Sequence, residues 1–379
     1  MGENMVVFLT VISVLLLCQF IFTIWNMKQL PVLKPAPFSP GEPISLSILI
    51  PARNEEKRIE ACLQSIVDQR FYPKELIVLD DHSTDQTRAL VERFAEKYPW
   101  IRVQSGQPLK RGWLGKSYAC SQLAEAAASD WLLFLDADVR LKRGAVESVY
   151  KQLCMQKTGM LSGFPEQKTG TFFEHLVVPM MMFTIGCHLP VKWVRKSKNP
   201  AFAAAHGGFI AIEKNCYHDI GGHEAIKDSL VDDMALARRV KEKGFPFTLA
   251  SIHPFVYMRM YESGQEVWEG YRKNLFPGVN RSIALLSSVF CLYILLYLAP
   301  VICFMIALFQ LDVLSICLAI LCYGLGVSIK AAIDTENGRT SAMAFLLPIS
   351  ILSLIAIGFA SMKIGLKKEG YEWKGRRYE

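Results

Sequence analysis

Long uncharged stretches at both ends of the chain enclose a region of shorter, alternating apolar segments. Residues 6–25 (VVFLTVISVLLLCQFIFTIW) carry no charge, and about 20 such residues cross the hydrocarbon core of a bilayer as a helix. Residues 283–309, 313–329 and 341–362 form three further apolar runs, the last broken by Pro348. They predict membrane helices with short connections; the alternative is helices buried in a soluble core. In the middle region, 45–50 (SLSILI), 75–81 (ELIVLDD), 101–105 (IRVQS) and 131–138 (WLLFLDAD) have strand length. Between them, 52–69, 83–98 and 115–128 read as helices. Ile59, Cys62, Leu63, Ile66 and Val67 recur at helical spacing in the first, and Ser83 or Thr84 can cap the second. The order β-α-β-α-β-α-β with near-continuous apolar strands predicts an α/β fold whose mostly parallel sheet is covered on both faces.

Residues 1–28 therefore read as an N-terminal membrane anchor. Residues 29–44, rich in proline, read as an extended linker. A globular domain over 45–280, membrane helices over 281–362 and a basic tail over 363–379 complete the division. The start MGENM is acidic and no small-residue cleavage site follows the first run, so the anchor is expected to be retained.

Composition changes this picture in two ways. The net charge of +7 sits largely beside the apolar runs, at Arg272, Lys273, Arg281, Lys363, Lys367, Lys368, Lys374, Arg376 and Arg377. Such placement suits anionic membrane lipids and the cytoplasmic side. It argues against nucleic acid, because no aromatic-basic interleaving accompanies it. The 10 cysteines are scattered, with no CxxC pair and no zinc spacing, as expected of reduced thiols in a cytoplasmic domain.

The candidate chemistry lies where strands end in acid. Arg53-Asn54-Glu55, Asp80-Asp81 and Asp136-Ala137-Asp138 all follow apolar strands. In a parallel sheet those ends share one rim, where ligands collect. Aspartates at strand ends also cap helices and turns, which is the structural alternative. Carboxylates gathered on a rim repel one another, and a divalent cation relieves that. Mg2+ or Mn2+ takes one or two carboxylates and leaves its other positions to water and a substrate phosphate.

ILIPARNEE (48–56), VLDDHSTDQT (78–87), GWLGKSYA (112–119), FLDADV (134–139) and LVDDMALARRV (230–240) occur in the order and spacing of the inverting, family-2 GT-A glycosyltransferases, which residues 45–275 resemble. A narrower likeness, carried by IPARNEEKRI, GKSYAC, YMRMYESG and the terminal EWKGRRY, is to membrane glucosyltransferases of C30 carotenoid pathways. The resemblance implies a Rossmann-like GT-A sheet, a UDP-sugar donor such as UDP-glucose, a Mg2+ or Mn2+ ion, and a lipophilic acceptor in the bilayer. Pro51, Arg53 and Glu55 would border the nucleotide, Asp81 would meet the uracil, and Asp80 would be structural. Lys116 would lie near the diphosphate. Asp136 would reach the ribose or a metal-bound water, Asp138 would bind the metal, and Asp233 would be the general base with Asp232 beside it.

Other readings stay open here. VDDMALARRVKEKG also reads as an amphipathic helix whose acids complement its N-terminus. GWLGKS lacks the first glycine of a phosphate loop, since Lys110 stands there. QEVWEGYRKNLF (265–276) replaces the family's Q-x-x-R-W pattern; Trp268, Arg272 and Lys273 would reach the diphosphate or only lipid headgroups. His223 would face the acceptor or be structural. Residues 172–194, rich in methionine and broken by Pro179 and Pro190, form either a core helix or an in-plane segment that guides a lipid acceptor. Transfer to a glycerolipid, ceramide-like or sterol-like acceptor, and a non-catalytic membrane scaffold, are the competing functions. Three C-terminal spans would put the basic tail opposite a cytoplasmic domain, a conflict that a re-entrant run would remove.

Overall fold

The computed structural model describes residues 2–34, 44–70, 72–367, 371–373 and 376–378. Residues 35–43 of the expected linker, and Lys368 to Gly370, Lys374 and Gly375 of the tail, lie outside them. An apolar helix, α1 (Gly2–Met27), leads to the globular domain. The chain does not leave it as a free linker: Leu33 N donates to Ser251 O at 3.2 Å and Ser251 N to Pro31 O at 2.8 Å, so residues 31–33 lie along a sheet edge.

The apolar runs form the strands they predict: β1 (Leu46–Ala52), β2 (Glu75–Asp80), β3 (Ile101–Ser105) and β4 (Trp131–Leu135). The crossovers are α2 (Ile59–Val67), α3 (Thr87–Lys97) and α4 (Gly115–Ala126), and all strand pairs among these four are parallel. Alternate strand residues feed two cores. Ile48, Ile50, Leu76 and Val78 pack with α2, while Leu49, Ile77 and Leu79 pack with α4. The first helix begins seven residues later than its pattern suggests, because Arg53–Glu56 form a rim loop instead. β4 stops at Leu135, so the aspartates sit in a turn ahead of β5 (Val139–Leu141).

Next come α5 (Ala145–Gln156), β6 (Met160–Phe164), β7 (Glu166–Gln167), α6 (Phe172–Val177), α7 (Met180–His188) and α8 (Val191–Lys196). Then follow β8 (Phe209–Glu213), α9 (Lys214–Asp219), α10 (Asp232–Glu242), β9 (Phe247–Ser251), β10 (Val256–Met258) and α11 (Gly264–Gly278). β8 runs antiparallel between β4 and β6, and β9 returns parallel to β6. The main sheet is thus mixed but mostly parallel, in the order β3-β2-β1-β4-β8-β6-β9, beside a small β5-β10-β7 sheet.

Four helices are long and apolar enough to cross a membrane. α12 (Ile283–Tyr293) continues into α13 (Ala299–Gln310) through a wider turn at 294–298, just before Pro300, whose missing N–H disturbs the regular ladder. α14 (Val313–Glu336) runs parallel to α1, with Cys322 Sγ 3.5 Å from Leu9 O and Ile333 near Met27 against Gly186. It extends past residue 329, the end of its uncharged run, because Lys330 and Asp334, four apart and both buried, pair with each other.

The last apolar run turns back. Arg339, after α14, donates to Gln167 O and, at 3.0 Å, to Thr169 Oγ1 of the globular domain. The chain then descends along α14, where Tyr323 Oη donates to Phe345 O at 2.6 Å and Leu347 meets Gly326. Gly326 lies ten residues before the end of α14, about 15 Å along the helix axis. From that depth α15 (Leu347–Lys367) rises beside α12 and α11: Gly358 abuts Phe290, Phe276 N donates to Ser361 Oγ at 3.0 Å, and Gly365 abuts Phe276. Both ends of segment 337–367 therefore lie at the globular domain. The 172–194 segment is three short helices wedged between that domain and the membrane helices, with Met180, Met182 and Phe183 buried.

Candidate functional site

Three strand ends build the donor side. Arg53 Nη1 donates to Asp81 O at 2.6 Å and His82 O at 3.2 Å, joining the loops after β1 and β2. Asn54 and His82 both have left-handed backbone, with φ of 52° and 54°, a conformation these residue types tolerate better than most. Thr84 N donates to Asn54 Oδ1 at 2.9 Å, and Glu55 N to Thr87 Oγ1 at 2.7 Å. Pro51 is the penultimate residue of β1, and Asp81 is buried just past β2. Asp80 Oδ1 accepts from Ser83 N at 3.2 Å, closing the turn.

The next strand end carries the metal candidates. Lys116, second residue of α4, places Nζ 2.7 Å from Asp136 Oδ1 and 3.0 Å from Oδ2. Burial opposes the ammonium charge, but Asp136 and Asp232 outweigh it and hold its pKa well above the usual lysine range. Asp138 behaves oppositely. Burial, then Asp136 and Glu55, push its carboxyl up to about 7, and its buried Oδ1 has no hydrogen-bond partner among the described residues. A buried carboxylate oxygen without a donor, beside a second carboxylate, fits a hard divalent cation. Among the described residues no cluster of three or more His, Cys, Asp or Glu would hold an ion unaided.

The acceptor side meets the donor side at one glycine. Asp232 and Asp233 open α10, as the amphipathic pattern suggested. Burial, then Asp232, push Asp233 up to about 7, against the N–H groups of Met234 and Gly207 that its carboxylate accepts. Gly207 O in turn lies 3.5 Å from Lys116 Nζ. The sheet thus brings Lys116, Asp136, Asp232 and Asp233 together, with Asp138 and Glu55 beside them.

Other candidates part company. Lys273 on α11 lies within the field of Asp232 and Lys116, and burial lowers its pKa to about 8 despite Asp232. Trp268 packs on the apolar cluster of Leu176, Val177 and Ile357. His223 is buried, bonded to Tyr217 Oη at 2.9 Å and set edge-on to Phe134, and burial lowers its pKa to about 4. On another face of α10, a cavity of about 310 Å3 lies between Val231, Met234 and Arg238 and the turn Pro277–Arg281 that precedes the first C-terminal membrane helix. Gly207 carries no side chain and works through its backbone; the sequence marks it only as one of the glycines of AAHGGFIAIEKNCYHDIGGHEA (204–225), which resemble the family's acceptor-side turn.

Residues 47–215 match the family model described as Glycosyl transferase family 2. The 4,4'-diaponeurosporenoate glycosyltransferase of Staphylococcus aureus (strain USA300) is 29% identical over 341 residues, which are 88% of each chain. The protein of that description from strain MRSA252 matches to the same extent. Mannosyltransferase PcManGT from Pyrobaculum calidifontis, solved in complex with GDP-Man and Mn2+, covers 96% of this chain with 99% of its own at a TM-score of 0.55. At 17% sequence identity that likeness is one of fold, and it spans globular and membrane parts alike.

Proposed function

We propose that this chain, a glycosyltransferase with a family 2 domain on a GT-A fold, transfers glucose from UDP-glucose, with inversion, to a carotenoid acid or alcohol held in the membrane. The observation that carries this reading is Gly207, whose carbonyl lies 3.5 Å from Lys116 Nζ of the donor side and on which a β-carbon would lie 3.4 Å from Asp233 Oδ2 of the acceptor side. The 88% span of the match to the diaponeurosporenoate enzymes supports the acceptor class, and the relative solved with Mn2+ and a nucleotide sugar supports the donor class.

In this reading Pro51, Arg53, Glu55 and Asp81 border the nucleotide, and Asp136 and Asp138 hold Mg2+ or Mn2+. The ion, when bound, neutralises charge on the diphosphate as it leaves. Lys116 supports the same charge. The acceptor oxygen attacks C1 from the face opposite the leaving group, which inverts configuration. Asp233, with a pKa of about 7, takes the proton of a hydroxyl acceptor. Asp232 helps keep that pKa high through like charge.

The 29% identity to the diaponeurosporenoate enzymes and the four helices long and apolar enough to cross a membrane support an acceptor held in the bilayer. Both ends of the 337–367 segment lie at the globular domain, so the basic tail emerges on its side. Basic residues favour the cytoplasm, which supports a domain on the side where nucleotide sugars are made. Co-expression in a pigment-producing host, with mass analysis of lipid extracts, tests the reading. A gain of one hexose on a carotenoid is expected; the gain only on glycerolipids overturns the acceptor assignment. No metal-dependent UDP release by purified protein overturns the donor assignment.

A further inference from the structure

We infer that His206, which no comparison assigns, is a positioning residue: held in one tautomer, it fixes the Gly207 peptide between Asp233 and Lys116. The inference rests on the proposed role of Asp233 as base.

His206 sits in the loop before β8, buried, its ring edge-on to Phe164. Its ring folds back over Gly208: the Gly208 N–H donates to Nδ1 at 3.1 Å. A β-carbon on Gly208 would lie 3.2 Å from ring atoms Cε1 and Nδ1, tighter than most such contacts. The His-Gly-Gly order thus makes room for this fold-back. An Nδ1 that accepts has no proton, so in the neutral ring Nε2 carries it. Nε2 lies 3.3 Å from the Gln167 amide nitrogen; a proton on Nε2 requires that amide to be turned about, which puts its oxygen, otherwise buried without a partner, against the ring. The backbone is held as well. His206 N donates to Ser162 Oγ at 3.0 Å, and Phe209 N to His206 O at 3.0 Å. Burial and nearby Lys116 lower the imidazole to about 4, so the ring keeps this tautomer across the working pH range.

With both neighbours of Gly207 fixed, its peptide has one orientation. Its carbonyl lies 3.5 Å from Lys116 Nζ, and its α-carbon stands against Asp233, since a β-carbon there would lie 3.4 Å from Asp233 Oδ2. The far end of the same chain of contacts is membrane-borne, since Arg339 donates to the Gln167 carbonyl. The groups that act on Asp233 are Asp232 and the Met234 N–H on its own helix, Lys116 on α4 and the backbone of Gly207; Lys273 on α11 faces Asp232.

The test compares His206→Asn with His206→Leu in full-length protein in detergent, using UDP-glucose, Mn2+ and a long-chain alcohol. Asparagine Oδ1 accepts the N–H two residues on, as in an Asx turn, and so replaces the Nδ1 contact. Leucine fills volume but accepts nothing. The Asn variant is expected to keep kcat within about threefold of wild type. The Leu variant is expected to lose about 30-fold in kcat with donor KM nearly unchanged, and the acid limb of its pH profile moves up because Asp233 loses a donor. Equal kcat and equal acid limbs for the two variants overturn the inference, and so does equal loss in both while each melts cooperatively. Should the Leu variant not fold, Gln167→Met serves instead: an upward shift of the acid limb supports the inference and an unmoved limb overturns it. Asp233→Asn separates the two levels. An active Asp233→Asn removes the base assignment itself, whereas an inactive one beside an unaffected His206→Leu removes only the role of His206.

Discussion

Lys116 and Asp233 approach the same point from opposite halves of the site: a β-carbon on Gly207 would lie 3.4 Å from Lys116 Nζ and 3.4 Å from Asp233 Oδ2. One residue of the acceptor loop therefore touches both the cation assigned to the leaving diphosphate and the acid assigned to the nucleophile. The space between them is tight yet not closed. Gly207→Ala is expected to fold with an unchanged melting temperature and to lose about tenfold in kcat, roughly 1.4 kcal/mol of transition-state stabilisation. Steady-state kinetics beside thermal melts checks this; a lowered melting temperature with unchanged kcat contradicts it.

The Asp233→Asn penalty is expected to depend on the acceptor. A hydroxyl must lose its proton during attack, and general-base catalysis contributes roughly 100- to 10,000-fold. A carboxylic acid is already ionised near neutral pH, so its transfer needs no base. Rates on a long-chain alcohol should fall about 1,000-fold, and rates on a carotenoid acid by less than about tenfold. Initial rates with the two acceptors decide; full rate on the alcohol excludes Asp233 as base.

The same group gives a pH dependence with a fixed sign. Its folded pKa is about 7, above the ordinary 3.8. The active carboxylate is lost below that value, so transfer to a hydroxyl should rise with pH through about 7. Stability runs the other way. A group whose folded pKa is raised stabilises the fold fully below the unfolded value, and that contribution fades as pH rises through the folded one. Asp233→Asn should therefore raise the melting temperature relative to wild type at pH 8 and leave it nearly equal at pH 3.5. Paired thermal melts at the two pH values test this, and an equal shift at both would refute the assignment of the effect to Asp233.

Much of this site was legible before any coordinates, and for a physical reason. Strands buried on both faces show as short apolar runs, and acids that end them stand out by contrast. Asp136, Asp138 and Asp81 were found that way. What escaped notice works through the backbone or through long-range pairing. β6 (MLSGF) and β8 (FIAIE) are short, and their place in the sheet depends on partners far away in sequence. The glycines around Gly207 read as an acceptor-side turn, but nothing in the sequence shows that the ring of His206 folds back onto Gly208. Hydropathy marks 341–362 as apolar but says nothing of the direction in which the helix travels.

That direction leads to a prediction on topology. Arg339 and Ser361 both bond to parts of the globular domain, Arg339 to Gln167 and Ser361 to Phe276. A C-terminal fluorescent-protein fusion should glow in cells and a phosphatase fusion should stay inactive, the pattern of a tail on the cytoplasmic side. The turn-back depends on close helix contacts. A β-carbon on Gly358 would lie 2.1 Å from the Phe290 ring, so Gly358→Leu should push α15 off α12 and reduce the folded yield. An active phosphatase fusion on the wild-type chain would mean that the run crosses after all.

The buried pair on α14 predicts a non-additive result. Lys330 and Asp334 are both buried and paired one turn apart, at the end of the helix that meets the globular domain. Removing one partner leaves the other as an uncompensated charge, which costs about 3–5 kcal/mol in buried pairs. Replacing both with apolar residues of similar size removes the charge along with its partner, and is often neutral or better. Lys330→Met alone should sharply lower the melting temperature in detergent, and the Lys330→Met, Asp334→Leu double variant should recover most of it. The pair's position also bears on function, because Arg339, five residues beyond Asp334, carries the contact to Gln167. If the double variant melts as wild type and keeps full activity, the pair only neutralises itself. If it melts as wild type but loses kcat, the pair sets the position of Arg339, and with it the chain of contacts that ends at Asp233.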